Sequence, residues 1–439
     1  MNRYRDLLRD REFALLWGGA TVSALGDGMS LVALIWLLIE RGGTPADVGW
    51  LAATYTAPVI VGGIAAGVIL DRFDPRRVIA ADNVIRGVAI ASVPIAAALG
   101  VLTTAQLYVV AAIYGLLFMT SVAGIPSLIT RLVPADKLTT ANAMESITYG
   151  IAGLVGPAAA GVVIAIFSAP VVLAIDALTY GIFVVCLLAM RREGAPTATS
   201  ISPVDAADAA DAADELAQPG VAVSAPVGGG IGPALRFILG APAIVATTVM
   251  YMCLNLSSGI ALVVLPLYVR DVLDGGSETF GLLLSALTAG ELGGLILVGA
   301  IGWRWPLGRS IAAAALVSGL ILSLWLLRPP LIVLGLVLAA SGVTESSLTP
   351  WAQTIRMRLI PTPMRGRVFA LLRTLMQSTR PIGSIVAGWL LAGGALTPAL
   401  AAIALLVAVP GAIGLFLPAL GRGPTAEPDP DASLRFEPS

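Results

Sequence analysis

Histidine is absent from the 439 residues, and lysine occurs once, as Lys137. The first absence removes imidazole from every proton transfer, metal site and nucleophilic dyad. The second leaves no Gly-x-x-x-x-Gly-Lys-Ser/Thr loop for the phosphates of ATP. Cysteine occurs only as Cys186 and Cys253, each inside an apolar run, so both read as small hydrophobes. Charge is scarce as well, at 12% of residues against 57% hydrophobic. A water-soluble chain of this length cannot hide so much apolar surface, so the composition points to a bilayer. "VGGGIGP" follows no strand and lacks the acid of a dinucleotide site. Neither a metal nor an organic cofactor is expected, and no nucleic-acid partner.

What the sequence has instead is apolar runs near the roughly 20 residues a spanning helix needs. They fall near 13–39, 48–70, 78–99, 105–130, 142–166, 170–190, 241–268, 279–301, 310–327, 331–353, 367–392 and 398–420. The expected fold is all-α, with twelve transmembrane helices. "MNRYRDLLRDRE" reads as a cytoplasmic lead-in to a retained first span. With both termini cytoplasmic, only three basic residues fall in external loops: Arg41, Arg270 and Arg328. That asymmetry follows the positive-inside rule.

Residues 191–230, rich in Ala, Pro, Gly and Asp, have little to bury and read as a flexible cytoplasmic linker. They divide the chain into six-helix halves, 1–190 and 231–420, followed by a cytoplasmic tail, 421–439. An internal repeat supports the division. "RLVPADKLTTANAMESITYGIAGLVGPAAAG" from Arg131 aligns without a gap on "RLIPTPMRGRVFALLRTLMQSTRPIGSIVAG" from Arg358. Identities include Pro134 with Pro361, Gly156 with Gly383 and Gly161 with Gly388. Parallel repeats of this kind suit a pseudo-symmetric transporter.

The loop "GVILDRFDPRRV" resembles the signature loop of the major facilitator superfamily. Gly67, Asp71, Arg72, Arg76 and Arg77 match, whereas Asp74 stands where that signature has glycine. "GLVGPAAAG" is similar to the Gly-Pro element of the superfamily's antiporters at Gly156, Pro157 and Gly161. "SALGDGMSLVAL", "RLVPADKLTTANA", "IDALTY" and "RGRVFAL" resemble the bacterial exporter branch of macrolide-efflux and enterobactin-exporter proteins. The resemblance implies outward movement of amphipathic natural products, and the protein is expected to be a monomer in the inner membrane. It also implies that Asp71 meets the start of the eleventh span, where Arg365 and Arg367 are its plausible partners. With Asp82 and Arg86, four apart on one helix face, these residues are expected to form a conformational latch.

Asp27 lies about 21 Å along its helix from Phe13 at 1.5 Å per residue, too deep for that latch. Small neighbours, Gly19, Ser23, Gly26 and Ser30, suggest a cavity face. A charge so deep costs at least about 2.5–3.5 kcal/mol to insert. Two other acids are comparably deep, Glu291 among glycines and Glu345 beside Thr344, Ser346 and Ser347. Arg380 is expected on one face with Arg373 and Gln377, either neutralising a carboxylate or holding an anionic group. Tyr251, Asn255 and Ser258 form a polar stripe suited to a ligand. Without histidine, proton coupling falls on the carboxylates, and Asp27 is expected to carry protons, cationic cargo, or both in turn. A structural acid paired inside the bundle is the competing reading of Asp27. The rival functions are a nutrient importer, a lysophospholipid-type flippase and, more distantly, a membrane-embedded enzyme.

Overall fold

The computed structural model describes residues 2–191, 231–300, 305–361 and 364–421. The expected linker beyond Arg191 and the tail beyond Gly421 lie outside the described residues. Among those described there is no strand, and almost every residue is helical. Among the described residues, eleven helical stretches are long and apolar enough to cross a membrane.

The chain forms two compact units, Met1–Ser224 with Gly275–Ser285, and Ala225–Asp274 with Ala286–Ser439. In the first unit, α1 (Asn2–Arg9) leads into α2 (Arg11–Glu40), whose N-terminus Asp10 caps by accepting from Glu12 and Phe13. A short lead-in is thereby fixed to the bundle, with Leu7 packed among Phe13, Leu16, Ile129 and Phe183. Next come α3 (Pro45–Thr56) and α4 (Pro58–Arg72), one span interrupted where Pro58 cannot donate to the helix ladder. Asp74 N-caps α5 (Pro75–Ala98) by accepting from the Arg76 amide, a turn-stabilising role glycine cannot fill. The unit continues with α6 (Thr104–Leu132), α7 (Leu138–Ile166) and α8 (Ala169–Ala189).

Helix α8 shows why a bilayer is its solvent. Leu178, Ile182 and Val185 point outward and are exposed, while Asp176, Tyr180 and Phe183 are buried on the opposite face. Polar-in, apolar-out is the reverse of a soluble amphipathic helix.

The second unit holds α9 (Ile231–Gly240), α10 (Pro242–Asp271), most of α11 (Ser277–Ala300) and α12 (Leu307–Ser323). It is completed by α13 (Leu331–Ser346), α14 (Leu348–Leu359), α15 (Arg365–Gln377), α16 (Thr379–Ala392) and α17 (Leu396–Phe416). Two spans are interrupted, at Ser347 and Ser378, each three residues before a proline, Pro350 and Pro381. A proline removes the amide that would bond four residues back, so the ladder fails at those points. The run expected over 367–392 is therefore helical as α15 and α16, with Gln377, Arg380 and Pro381 making it too polar to count by apolarity alone.

The division read from sequence placed all of 231–420 in one half, whereas 275–285 groups with the first unit. The start of α11 packs there on the Gly-Pro element of α7. Ser277 donates to the Gly161 carbonyl at 3.0 Å, and Ser285 accepts from the Ala158 amide at 3.1 Å.

Candidate functional site

The stretch "GDG" at 26–28 is explained by three neighbours. A side chain on Gly26 would collide with the Asp176 carboxylate of α8. One on Gly28 would come within 2.5 Å of the Ala152 carbonyl of α7. The two glycines thus let α8 and α7 close on α2, and Asp27 between them turns toward α5.

There it meets Arg86. The guanidinium Nη1 lies 3.3 Å from both Asp27 oxygens and donates to the Tyr180 hydroxyl at 3.3 Å. Its Nη2 donates to Asp82 at 2.6 Å and to Ser121 at 2.8 Å. Ser121 also donates to the same Asp82 oxygen at 2.8 Å, and the Tyr180 hydroxyl donates to Asp27. The Arg86 guanidinium lies over the rings of Tyr180 and Tyr114, 4.8 and 5.7 Å from their centroids. Arg86 and Asp82 are sealed from solvent, but the Asp27 side chain keeps 17% exposure. Asp27 is the open end of the cluster.

It opens onto a recess of about 230 Å³ lined by Tyr55, Tyr114, Phe118, Tyr149, Gly28 and others. Tyr55 stacks on Tyr114 at 4.5 Å, and Tyr114 on Phe118 at 5.9 Å, giving one aromatic wall. One turn of α8 from Tyr180, Asp176 is fully buried and accepts hydrogen bonds from Ser30 and Thr179. The expectation separated Asp27 from the pair Asp82–Arg86. The structure joins all three, because Arg86 is long enough to bridge α5 to α2.

The other expected latch residues are distributed differently. Gly67 lies within α4, and Asp71 and Arg72 are exposed at its C-terminal end, as is Arg77 in the first turn of α5. Arg76 donates to the carbonyls of Leu187 at 2.6 Å and Leu188 at 3.0 Å, and Arg11 to Ala189 at 3.2 Å. Two cations thereby cap the negative end of α8. Arg365 holds the carbonyls of Met357 and Ile360, and Arg367 lies in the first turn of α15.

In the second unit, Glu345 on α13 accepts from Ser318 of α12 at 2.9 Å. Its neighbours in sequence do not bond to it. Thr344, Ser346 and Ser347 bond back to carbonyls of their own helix, the usual habit of hydroxyls inside helices. Glu291 interacts electrostatically with Arg380 and with Glu345. The Tyr251 hydroxyl donates to Thr349 at 2.8 Å, and Asn255 donates to the Tyr251 carbonyl at 3.0 Å. The ladder between Gln377 and Arg380 is interrupted at Ser378.

Sequence reasoning missed Tyr180, Tyr114, Ser121, Asp176 and Arg356. Asp176 and Tyr180 stand four apart in "IDALTYG", the spacing of one helix face, and that signal was available. Arg356 counted only as one more positive charge near a loop. The fold buries it to 4% exposure, facing the Tyr251 ring at 5.4 Å.

A multi-pass bundle with buried charge clusters beside an aromatic recess has the architecture of a membrane transporter, not of an enzyme. The chain belongs to the transmembrane secretion effector family of the major facilitator superfamily, whose model matches residues 6–437. It is 27% identical over 430 residues to the multidrug efflux pump Tap of Mycobacterium tuberculosis, covering 95% of each chain. Macrolide efflux protein A of Streptococcus pyogenes is 23% identical over 387 residues, covering 85% of this chain and 88% of that one. In fold it is similar to the nucleoside transporter NupG, with a TM-score of 0.68, 12% identity, and 92% and 98% of the two chains covered. A POT peptide transporter gives a TM-score of 0.70 at 15% identity, covering 94% and 95%.

Proposed function

We propose that this transporter exports small amphipathic compounds across the inner membrane, with both termini cytoplasmic, by proton antiport and alternating access. The observation that carries the proton is the charge count around Arg86. Two carboxylates, Asp27 and Asp82, face one guanidinium, so in formal charges the cluster has one carboxylate more than the guanidinium balances. A proton or a cationic group arriving at Asp27, the open member, neutralises that excess. The aromatic wall of Tyr55, Tyr114 and Phe118 offers the apolar and π surface an amphipathic cargo needs. Efflux as the direction draws its support from the pumps to which the chain is similar. The Gly-Pro element Gly156, Pro157 and Gly161 and the Asp71 loop belong to this reading as the parts that move, in a protein that works as a monomer. No bound cofactor is required, since the proton gradient supplies the energy.

The test uses the purified protein in proteoliposomes with an imposed pH gradient and a panel of fluorescent amphipathic compounds. Gradient-driven accumulation of at least one compound, lost on collapsing the gradient, is the expected result. Equilibration of every compound without accumulation would make the protein a uniporter and overturn proton antiport.

A further inference from the structure

We propose that Arg356 in the second unit is a recognition site for an oxyanion, a carboxylate or phosphate, carried on an apolar body. An arginine keeps its charge under all ordinary conditions, so a buried one needs an anion. This one is 4% exposed. Among the described residues its guanidinium meets the Met376 sulfur at 3.3 Å and the face of Tyr251 at 5.4 Å, and Nε has no acceptor. A thioether is a weak acceptor and an aromatic ring a partial one. Neither is a carboxylate, in contrast to Arg86, which has two.

The internal repeat shows that the fold does not ask for a charge here. Two residues before Arg358, Arg356 aligns without a gap on Ile129, which precedes Arg131 by the same two. Ile129 is 2% exposed in an apolar cluster with Ile125, Leu128 and Phe13. An isoleucine satisfies this slot in one half, so the arginine in the other carries an extra chemistry. Around it stand an aromatic ring and a methionine, surfaces that accept an apolar body of variable shape. The Tyr251–Thr349 hydrogen bond fixes the ring. A cargo with a carboxylate and a membrane phospholipid with a phosphate offer the same group.

The inference names a cargo chemistry within the export reading, but its test imposes no gradient, so the two fail independently. The full-length protein is placed in phosphatidylcholine nanodiscs at alkaline pH and titrated with dansyl-undecanoic acid and with its methyl ester. Wild type should bind the acid at least about tenfold more tightly than the ester, the range of a charge-assisted hydrogen bond. Arg356→Gln should reduce that preference to about twofold or less while ester affinity stays unchanged, and Arg356→Lys should keep most of it. Phosphatidylglycerol added to the discs assigns the source: competition with the acid marks a lipid headgroup site, and its absence marks a cargo site. Arg356→Ile, which restores the residue of the other half, should raise the melting temperature of the unliganded protein. An acid preference that survives in Arg356→Gln, or is missing from wild type, overturns the proposal. So does a lower melting temperature for Arg356→Ile, which would make the arginine a structural brace.

Discussion

Arg86 is sealed from solvent, and only its hydrogen bonds make that tolerable. Five oxygens accept from or lie beside its two terminal nitrogens, and two rings present their faces to it. Removing one member of such a cluster leaves the others as uncompensated buried charges, typically at about 3–5 kcal/mol. Arg86→Ala should therefore destabilise the protein by roughly that amount, read as unfolding in detergent. Asp82→Asn in the same chain should recover part of the loss, because it removes the deeper of the two stranded carboxylates. If the double variant is as unstable as the sum of the singles, Asp82 and Arg86 do not act as a pair. At this scale the sequence was informative about which residues carry charge in the membrane and about their helical spacing. It was silent on reach. That Arg86 spans from Asp82 on its own helix to Asp27 on another depends on where α2 and α5 lie, which no local pattern encodes.

Among the elements, close backbone approach is what brings such helices together, and the two units use it alike. In the first, Gly28 and Gly156 face one another across α2 and α7, and Gly62 and Gly115 seat the α3–α4 span against α6. In the second, Gly259 and Gly383 join α10 to α16, and Gly290 and Gly342 join α11 to α13. In each pair a side chain on either glycine would run into backbone of the facing helix. Lipid tails are as apolar as leucine, so helices in a bilayer gain by contact and hydrogen bonding rather than by hydrophobic burial, and small residues allow that contact. The repeat identity of Gly156 with Gly383 was legible as sequence. Its cause is that each seats the fifth helix of a half on the first. The prolines marked the broken spans correctly only after the fact, because Pro94, Pro126, Pro157, Pro266 and Pro410 lie inside helices that continue. Gly28→Ala should test the packing account. Its added carbon meets a carbonyl that cannot rotate away, so a loss of about 1–3 kcal/mol is expected. An unchanged melting temperature would mean that α2 and α7 yield more easily than their spacing implies.

For the whole molecule, the question is whether Asp27 moves protons, holds cargo or merely completes the cluster. Its place at the open end, with Asp82 sealed behind Arg86, leaves it the accessible carboxylate of the cluster. Asp27→Asn keeps the size and the bond from Tyr180, removes the excess negative charge and cannot release a proton. Two assays on one proteoliposome preparation separate the roles. Accumulation driven by a pH gradient requires proton exchange in every cycle, whereas exchange of labelled for unlabelled cargo without a gradient requires only binding and the conformational change. If Asp27 is the proton carrier, the variant should lose accumulation and keep exchange. Should it hold cationic cargo, exchange fails for cations and persists for neutral compounds. Asp27→Glu, still ionisable but longer, should retain partial accumulation in either case. Wild-type accumulation by the Asn variant would leave Asp27 a structural partner of Arg86. The proton would then have to be sought in the second unit, at Glu345, where a single serine hydroxyl holds the carboxylate in place of a guanidinium.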